Sequence, residues 1–150
     1  MLKPGSPAPD FTLATGEGDV VRLQDLRGKP VILYFYPKDD TPGCIKEACF
    51  FRDLMPEFEK KGAAVYGISA DSEKSHAKFS NKYGLTFPLL SDPGHEVATA
   101  YQSWGPKKFM GREYEGILRN TFLIGKDGKV AKVWEKVKPA EHAAEVLAEL

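Results

Sequence analysis

The chain has 150 residues, a length that suits one domain over residues 1–150, with a core able to bury roughly 68–70% of the surface the unfolded chain exposes. Hydrophobic residues make up 42% and charged residues 28%, which excludes a disordered chain or a fibre. Lys plus Arg balance Asp plus Glu at 21 each, leaving no excess of positive charge to bind nucleic acid or an anionic membrane.

Residues 1–10 have neither the apolar stretch of a secretory signal nor the Arg/Ser-rich character of a transit peptide. The longest uninterrupted apolar run, residues 31–36, is far below the ~20 residues that span a bilayer, so no membrane segment is expected. A cytoplasmic protein is expected, unless a leader has been removed. In that reducing compartment the only two cysteines, Cys44 and Cys49, point to catalysis, redox sensing or metal binding rather than to a structural bridge.

Residues 11–14 and 20–23 predict an N-terminal hairpin turned by Gly16-Glu-Gly-Asp19. Residues 31–36, apolar at every position, predict a central strand covered on both faces and ended by Pro37. Thr41 and Pro42 then read as an N-cap followed by proline at the first helical position. Ala48, Phe51, Leu54, Met55 and Phe58 recur at spacings of three and four and mark one helical face, with Pro56 expected to bend or interrupt it. Residues 63–69 predict a second buried strand, and Asp71 and Ser72 open a helix that runs to Tyr83 and stops at Gly84. A short strand at residues 89–90, a short helix at 96–101 and a long irregular stretch at 103–118 follow. Residues 121–124 and 130–134 predict a hairpin turned by Lys126-Asp-Gly128, and residues 139–150 a terminal helix with Ala143, Val146, Leu147 and Leu150 on one side. The order describes an α/β chain, one sheet with helices on both faces, without linker or repeat.

Cys44 stands three residues after Thr41, in the first turn of a helix that follows a buried strand. Unpaired backbone N–H groups and the positive end of the helix dipole favour an anion there, and a thiolate is one. An ordinary thiol is only ~3% ionised at pH 7, whereas a helix N-terminus or a cationic neighbour commonly lowers a thiol pKa to between about 3.5 and 7.5. The bland alternative is a small core residue. Zinc is disfavoured, since two thiolates without a nearby His or further Cys fall short of four ligands. On an intact helix Cys44 and Cys49 lie about 7.5 Å apart along the axis and about 140° apart around it, a Cα separation of roughly 8–9 Å. A disulfide tolerates at most about 7 Å, so a bridge requires this turn to unwind; a packed apolar role is the alternative for Cys49. His76, His95 and His142 read as surface histidines, Trp134 as core, Trp104 as a candidate rim residue, and Lys107-Lys108 as too short a run for nucleic acid.

The run Tyr34-Phe-Tyr-Pro-Lys-Asp-Asp-Thr-Pro-Gly-Cys44-Ile-Lys-Glu-Ala-Cys49, followed by Phe51-Arg-Asp53, resembles the active-site segment of peroxiredoxins. It is most similar to the bacterioferritin comigratory protein/peroxiredoxin Q subgroup. The resemblance extends from Pro7-Ala-Pro-Asp-Phe11 through Gly116-Ile-Leu-Arg-Asn-Thr-Phe-Leu-Ile124 to Val137. Two positions depart from the subgroup: Ile45, where Thr is usual, and Asn120, where Ser is frequent.

The resemblance implies a thioredoxin-like fold, a central mixed β-sheet flanked by helices with an N-terminal β-hairpin extension. It implies a thiol peroxidase of antioxidant defence that reduces hydrogen peroxide and organic hydroperoxides. Cys44 matches the peroxidatic cysteine, which becomes a sulfenic acid. Thr41 matches the hydroxyl that hydrogen-bonds thiolate and peroxide, Pro37 the ring that shields the site, and Arg119 the guanidinium that holds the thiolate and polarises the O–O bond. Cys49 matches the resolving cysteine of members that form an intrasubunit disulfide. Also implied are recycling by a thioredoxin- or glutaredoxin-type dithiol protein, no cofactor or metal, and a monomer or weak homodimer. Two rivals stand beside it. A thiol–disulfide oxidoreductase of the same fold normally wants Cys-x-x-Cys, and Cys49 comes too late for that spacing. A non-enzymatic redox sensor or binding module would use the same oxidation once.

Overall fold

The computed structural model describes residues 2–150. The N-terminal hairpin forms as expected: β1 (Thr12–Thr15) and β2 (Val20–Arg22) pair antiparallel, Thr12 opposite Arg22. A 3-10 turn at Leu23–Leu26 leads into β3 (Val31–Phe35), buried at every position. Then come α1 (Pro42–Lys60), β4 (Ala64–Ser69), α2 (Glu73–Tyr83), β5 (Leu89–Ser91), α3 (Glu96–Ala100), β6 (Trp104–Phe109), β7 (Arg112–Ile117), β8 (Thr121–Ile124), β9 (Val130–Trp134) and α4 (His142–Ala148).

Seven strands make one sheet in the order β2-β1-β5-β4-β3-β8-β9. β3, β4 and β5 are parallel because α1 and α2 are the crossovers between them, while the remaining pairs are antiparallel, so the sheet is mixed. β3 is an interior strand between β4 and β8, with β4 in the middle place. Its unbroken apolar run follows from cover on both sides. Ile32 and Tyr34 pack under Phe51, Phe58 and Val146, while Leu33 and Phe35 pack against Tyr101, Ile117 and Phe122. Tyr34 stacks on Phe51 with ring centroids 4.7 Å apart. Burying an aromatic of this size contributes about 1.5–3 kcal/mol, so Ala48, Phe51, Met55 and Phe58 fix how α1 lies on the sheet.

Pro56 does not interrupt α1, which continues to Lys60. The proline forgoes one hydrogen bond, to the Arg52 carbonyl, and the buried Met55 and Phe58 beside it keep the last turns on the sheet. The terminal helix is shorter than expected. Pro139 and Ala140 form a turn, Glu141 is the N-cap, and Leu147 and Leu150 are only partly buried. The largest departure is at residues 103–118, where β6 and β7 form a separate two-stranded ribbon, Trp104 opposite Ile117 and Phe109 opposite Arg112. Its tip puts Met110 (φ 50) and Gly111 (φ 81) in the left-handed region, the geometry of a two-residue hairpin turn. Most of β7 faces solvent, so no alternation of apolar residues announces it. Among the described residues no helix is long and apolar enough to cross a membrane.

Candidate active site

β3 delivers the chain into a loop over residues 36–41, and Thr41 is the N-cap of α1 with Pro42 in the first turn. The cap is made by backbone geometry alone. The Thr41 hydroxyl instead donates to the Lys38 carbonyl at 2.8 Å. Its proton being spent there, the Thr41 oxygen can accept from an O–H, but in this rotamer it cannot donate to a thiolate. Ile45 N–H makes the first helical bond, to the Thr41 carbonyl at 2.8 Å, so the Gly43 and Cys44 N–H groups have no intrahelical partner.

Cys44 is a free thiol, 2% exposed, on the buried face of this turn. Arg119, 75 positions later, donates from Nη2 to Cys44 Sγ at 3.3 Å and from Nη1 to Glu47 Oε1 at 2.6 Å. Gly43 leaves room for this approach, since a Cβ there would stand 3.3 Å from Arg119 Nη2 and 3.6 Å from Pro139 Cγ. Glu47 is fully buried, one helical turn beyond Cys44, and its Oε2 has no hydrogen-bond partner among the described residues. Burial pushes the Glu47 carboxyl up to about 7, with Arg119 pulling the other way. Burial also works against the Arg119 charge, but Glu47 and Cys44 outweigh it and its pKa is raised. Sequence reasoning did not single out Glu47. The signal was its spacing of three from Cys44, which sets both on one helical face.

The loop itself is braced by α2. Asp39, buried, accepts from the Tyr36 hydroxyl at 2.6 Å and from Ser75 Oγ at 2.8 Å, and its Oδ2 lies 2.7 Å from His76 Nδ1. His76 Nε2 lies 2.9 Å from the Leu90 carbonyl, and the Asp39 N–H donates to Asp71 Oδ2 at 2.8 Å. Asp40 (φ 55) is held by Lys82 and by the Tyr83 hydroxyl, each at 2.9 Å. From the other side, Arg52 of α1 donates to the Tyr83 carbonyl at 2.6 Å. Asp39, Asp71 and His76 bring ligand atoms within 4.8 Å of one another, but these atoms are engaged with each other and with their neighbours, as a brace rather than an open metal site.

Pro37 is partly buried in the same loop. Cys49, partly buried and free, lies on the same uninterrupted helix as Cys44, with no bond between them. The histidine expectation is corrected: His76 and His142 are fully buried, each kept in the interior by polar partners distant in sequence. Trp104 stacks on His95 at 3.7 Å, donates to Glu115 and packs against the cluster of Tyr101 and Ile117 rather than the one that holds Cys44. Lys107 comes closer than its sequence context suggested. Its Nζ donates to the Ile117 carbonyl at 2.9 Å; burial, then Arg119, lowers its pKa, while Cys44 raises it.

His142 Nε2 meets Thr121 Oγ1 at 2.7 Å while Nδ1 has no hydrogen-bond partner among the described residues, and burial, aided by Arg119, pushes its pKa down to about 4. Glu47 and His142 therefore oppose each other in the pH dependence of stability. The Glu47 contribution is complete below the ordinary 4.5 and is lost as pH rises through about 7. The His142 contribution is complete above the ordinary 6.5 and is lost as pH falls through about 4. Each is worth about 3 kcal/mol, so between these limits the slopes nearly cancel. In Glu47→Gln only the histidine slope remains. Its stability relative to wild type, by urea unfolding from pH 4.5 to 7, is expected to rise with pH, and a constant difference would show that the buried carboxyl does not hold its proton.

Residues 4–133 match the AhpC/TSA family. The chain is 52% identical over 149 residues to the putative peroxiredoxin bcp of Coxiella burnetii, covering 99% of both chains. It is 49% identical over 143 residues to peroxiredoxin Bcp of Bacillus subtilis, covering 95% of this chain and 91% of that one. Among solved structures it is similar to the Xanthomonas campestris bacterioferritin comigratory protein, described for its alkyl peroxide reduction activity. The TM-score is 0.91 at 40% identity, covering 98% of this chain and 96% of the other. A cysteine-to-serine variant of PrxQ from Xylella fastidiosa superposes with a TM-score of 0.94 at 37% identity, over 99% of this chain and 95% of the other.

Proposed function

The chain belongs to the AhpC/TSA family as a peroxiredoxin, a thiol peroxidase with the thioredoxin-like fold, and on that premise we propose that Cys44 is the sulfur that reacts with peroxide. Its thiolate attacks one oxygen of hydrogen peroxide or an alkyl hydroperoxide along the O–O axis. The S–O bond forms as the O–O bond breaks. The electron pair leaves on the distal oxygen, which takes up a proton to become water or an alcohol, and Cys44 becomes a sulfenic acid. The observation that carries this reading is the Arg119 Nη2 donor 3.3 Å from a buried sulfur at a helix start. A guanidinium that cannot be deprotonated holds the nucleophile and follows the charge that develops as the O–O bond stretches. Thr41 accepts the peroxide O–H, and Pro37 shields the sulfur from water.

Cys49 resolves the sulfenic acid. Its sulfur bonds to Cys44 Sγ, and the hydroxyl leaves with the thiol proton as water. A thioredoxin- or glutaredoxin-type dithiol then reduces the bridge, becoming oxidised itself, in a cytoplasm that keeps the resting thiols free. The test is consumption of hydrogen peroxide at catalytic protein concentration with thioredoxin, thioredoxin reductase and NADPH. Many turnovers per molecule are expected; one stoichiometric oxidation would favour the redox-sensor reading.

Since both cysteines sit on one helix at a Cα separation of roughly 8–9 Å, disulfide formation needs α1 to open locally. Amide hydrogen exchange over residues 42–51 is expected to be slow in the reduced protein and fast in the disulfide form, where Ala48 and Phe51 leave the core. Equal protection in the two forms, with the disulfide confirmed by mass, would rule this step out.

A further inference from the structure

Arg119 belongs to no regular element; it lies in the three-residue link between β7 and β8. A guanidinium that meets two atoms on another element needs its backbone held, and the neighbouring Asn120 does much of the holding. Asn120 is 1% exposed. Its Nδ2 donates to Ser103 Oγ at 3.1 Å and its Oδ1 accepts the Lys136 N–H at 3.1 Å. Its carbonyl accepts the Phe35 N–H and its own N–H donates to the Leu118 carbonyl, both at 2.8 Å, while the Arg119 carbonyl accepts the Val137 N–H at 2.9 Å. Three separate parts of the chain, the root of the β6–β7 ribbon, the end of β3 and the turn after β9, converge on this link.

We infer that Asn120 is the positioning residue of Arg119: its carboxamide, tying Ser103 to Lys136, fixes the direction in which the guanidinium projects onto Cys44 and Glu47. The inference rests on the reading of Arg119 as the group that holds the reacting sulfur. A planar amide carries one donor and one acceptor on opposite sides and serves both partners at once. A serine hydroxyl can also donate and accept, but from a single atom on a shorter arm rather than from two atoms facing opposite ways, so it bridges the two partners less well. The long Arg119 side chain amplifies any small rotation of its backbone into displacement of the guanidinium, and a misplacement of about 1 Å at a reacting centre can cost about a hundredfold in rate.

The experiment is a double-mutant cycle read by stopped-flow oxidation with hydrogen peroxide. Asn120→Ala is expected to slow the first oxidation by roughly tenfold to a hundredfold in the wild-type background, and by less than about twofold in an Arg119→Ala background. Asn120→Ser is expected to fall between Asn120→Ala and wild type. With Ser103→Ala it serves the same cycle should the alanine variant not fold. A general structural role would cost the same factor in both backgrounds, and that result, or a wild-type rate for Asn120→Ala or both alternate variants, would overturn the inference while leaving the role of Arg119 intact. Arg119→Ala reacting at the wild-type rate would instead overturn the role of Arg119 and the inference with it.

Discussion

Cys44→Ser is expected to abolish the reaction with peroxide, whereas Cys49→Ser is expected to keep one rapid oxidation per molecule and to lose the disulfide. The asymmetry follows from where the two sulfurs stand. Cys44 is in the first turn of α1, within hydrogen-bond reach of Arg119, while Cys49 is a turn and a half further along, without a hydrogen-bonded or charged partner among the described residues. A serine hydroxyl at position 44 fills nearly the same buried space, so the fold persists, but it is not ionised near neutral pH and is a far weaker nucleophile. A loss on the order of 10³-fold or more is expected in stopped-flow oxidation. For Cys49→Ser, mass spectrometry after one equivalent of peroxide is expected to find a sulfenic acid on Cys44, and further oxidation with excess peroxide. Equal first-turnover rates in Cys44→Ser and wild type would sink the assignment.

Arg119→Lys is expected to slow the same step by about 10–1000-fold although the charge is kept. The guanidinium reaches Glu47 with Nη1 and Cys44 with Nη2, two atoms on successive turns of α1. An ammonium is a single point and cannot reproduce that fork. If it turns to Glu47 the sulfur loses its donor; if it turns to the sulfur, Glu47 loses the only partner its carboxylate has among the described residues, since Oε2 has none there. A rate within a factor of two of wild type would show that the charge alone suffices and that the guanidinium fork plays no part.

The parts of this arrangement written in local sequence were legible there. Thr41-Pro42 announced the start of α1, the three-and-four spacing of Ala48, Phe51, Met55 and Phe58 announced its buried face, and Ser72 and Gly84 bounded α2 within a residue. Cys44 at a helix start was a physical argument before it was a resemblance. Arg119 was not, because nothing within a few residues of it reveals a partner 75 positions earlier. The same holds for the buried histidines, whose polar contacts in the core come from the distant Asp39 for His76 and Thr121 for one nitrogen of His142. The β6–β7 ribbon failed for a different reason. Lying mostly in solvent, it has no inner face to impose a period, and its Met-Gly turn lacks the Asn or Asp that usually marks one.

Tyr83 gives the proposed opening of α1 a topological limit. Its hydroxyl holds Asp40 and its carbonyl holds Arg52, so the stretch carrying both cysteines is pinned at each end to the same residue of α2. A helix that melts between pinned ends gains only the entropy of a short closed loop, not that of a free chain. Closing a loop of about ten residues takes about 10–100 ns even from free ends, far faster than any encounter with a second protein. In the proposed cycle the active site would thus be dismantled and rebuilt without a search, the two turns re-forming between ends already held against α2.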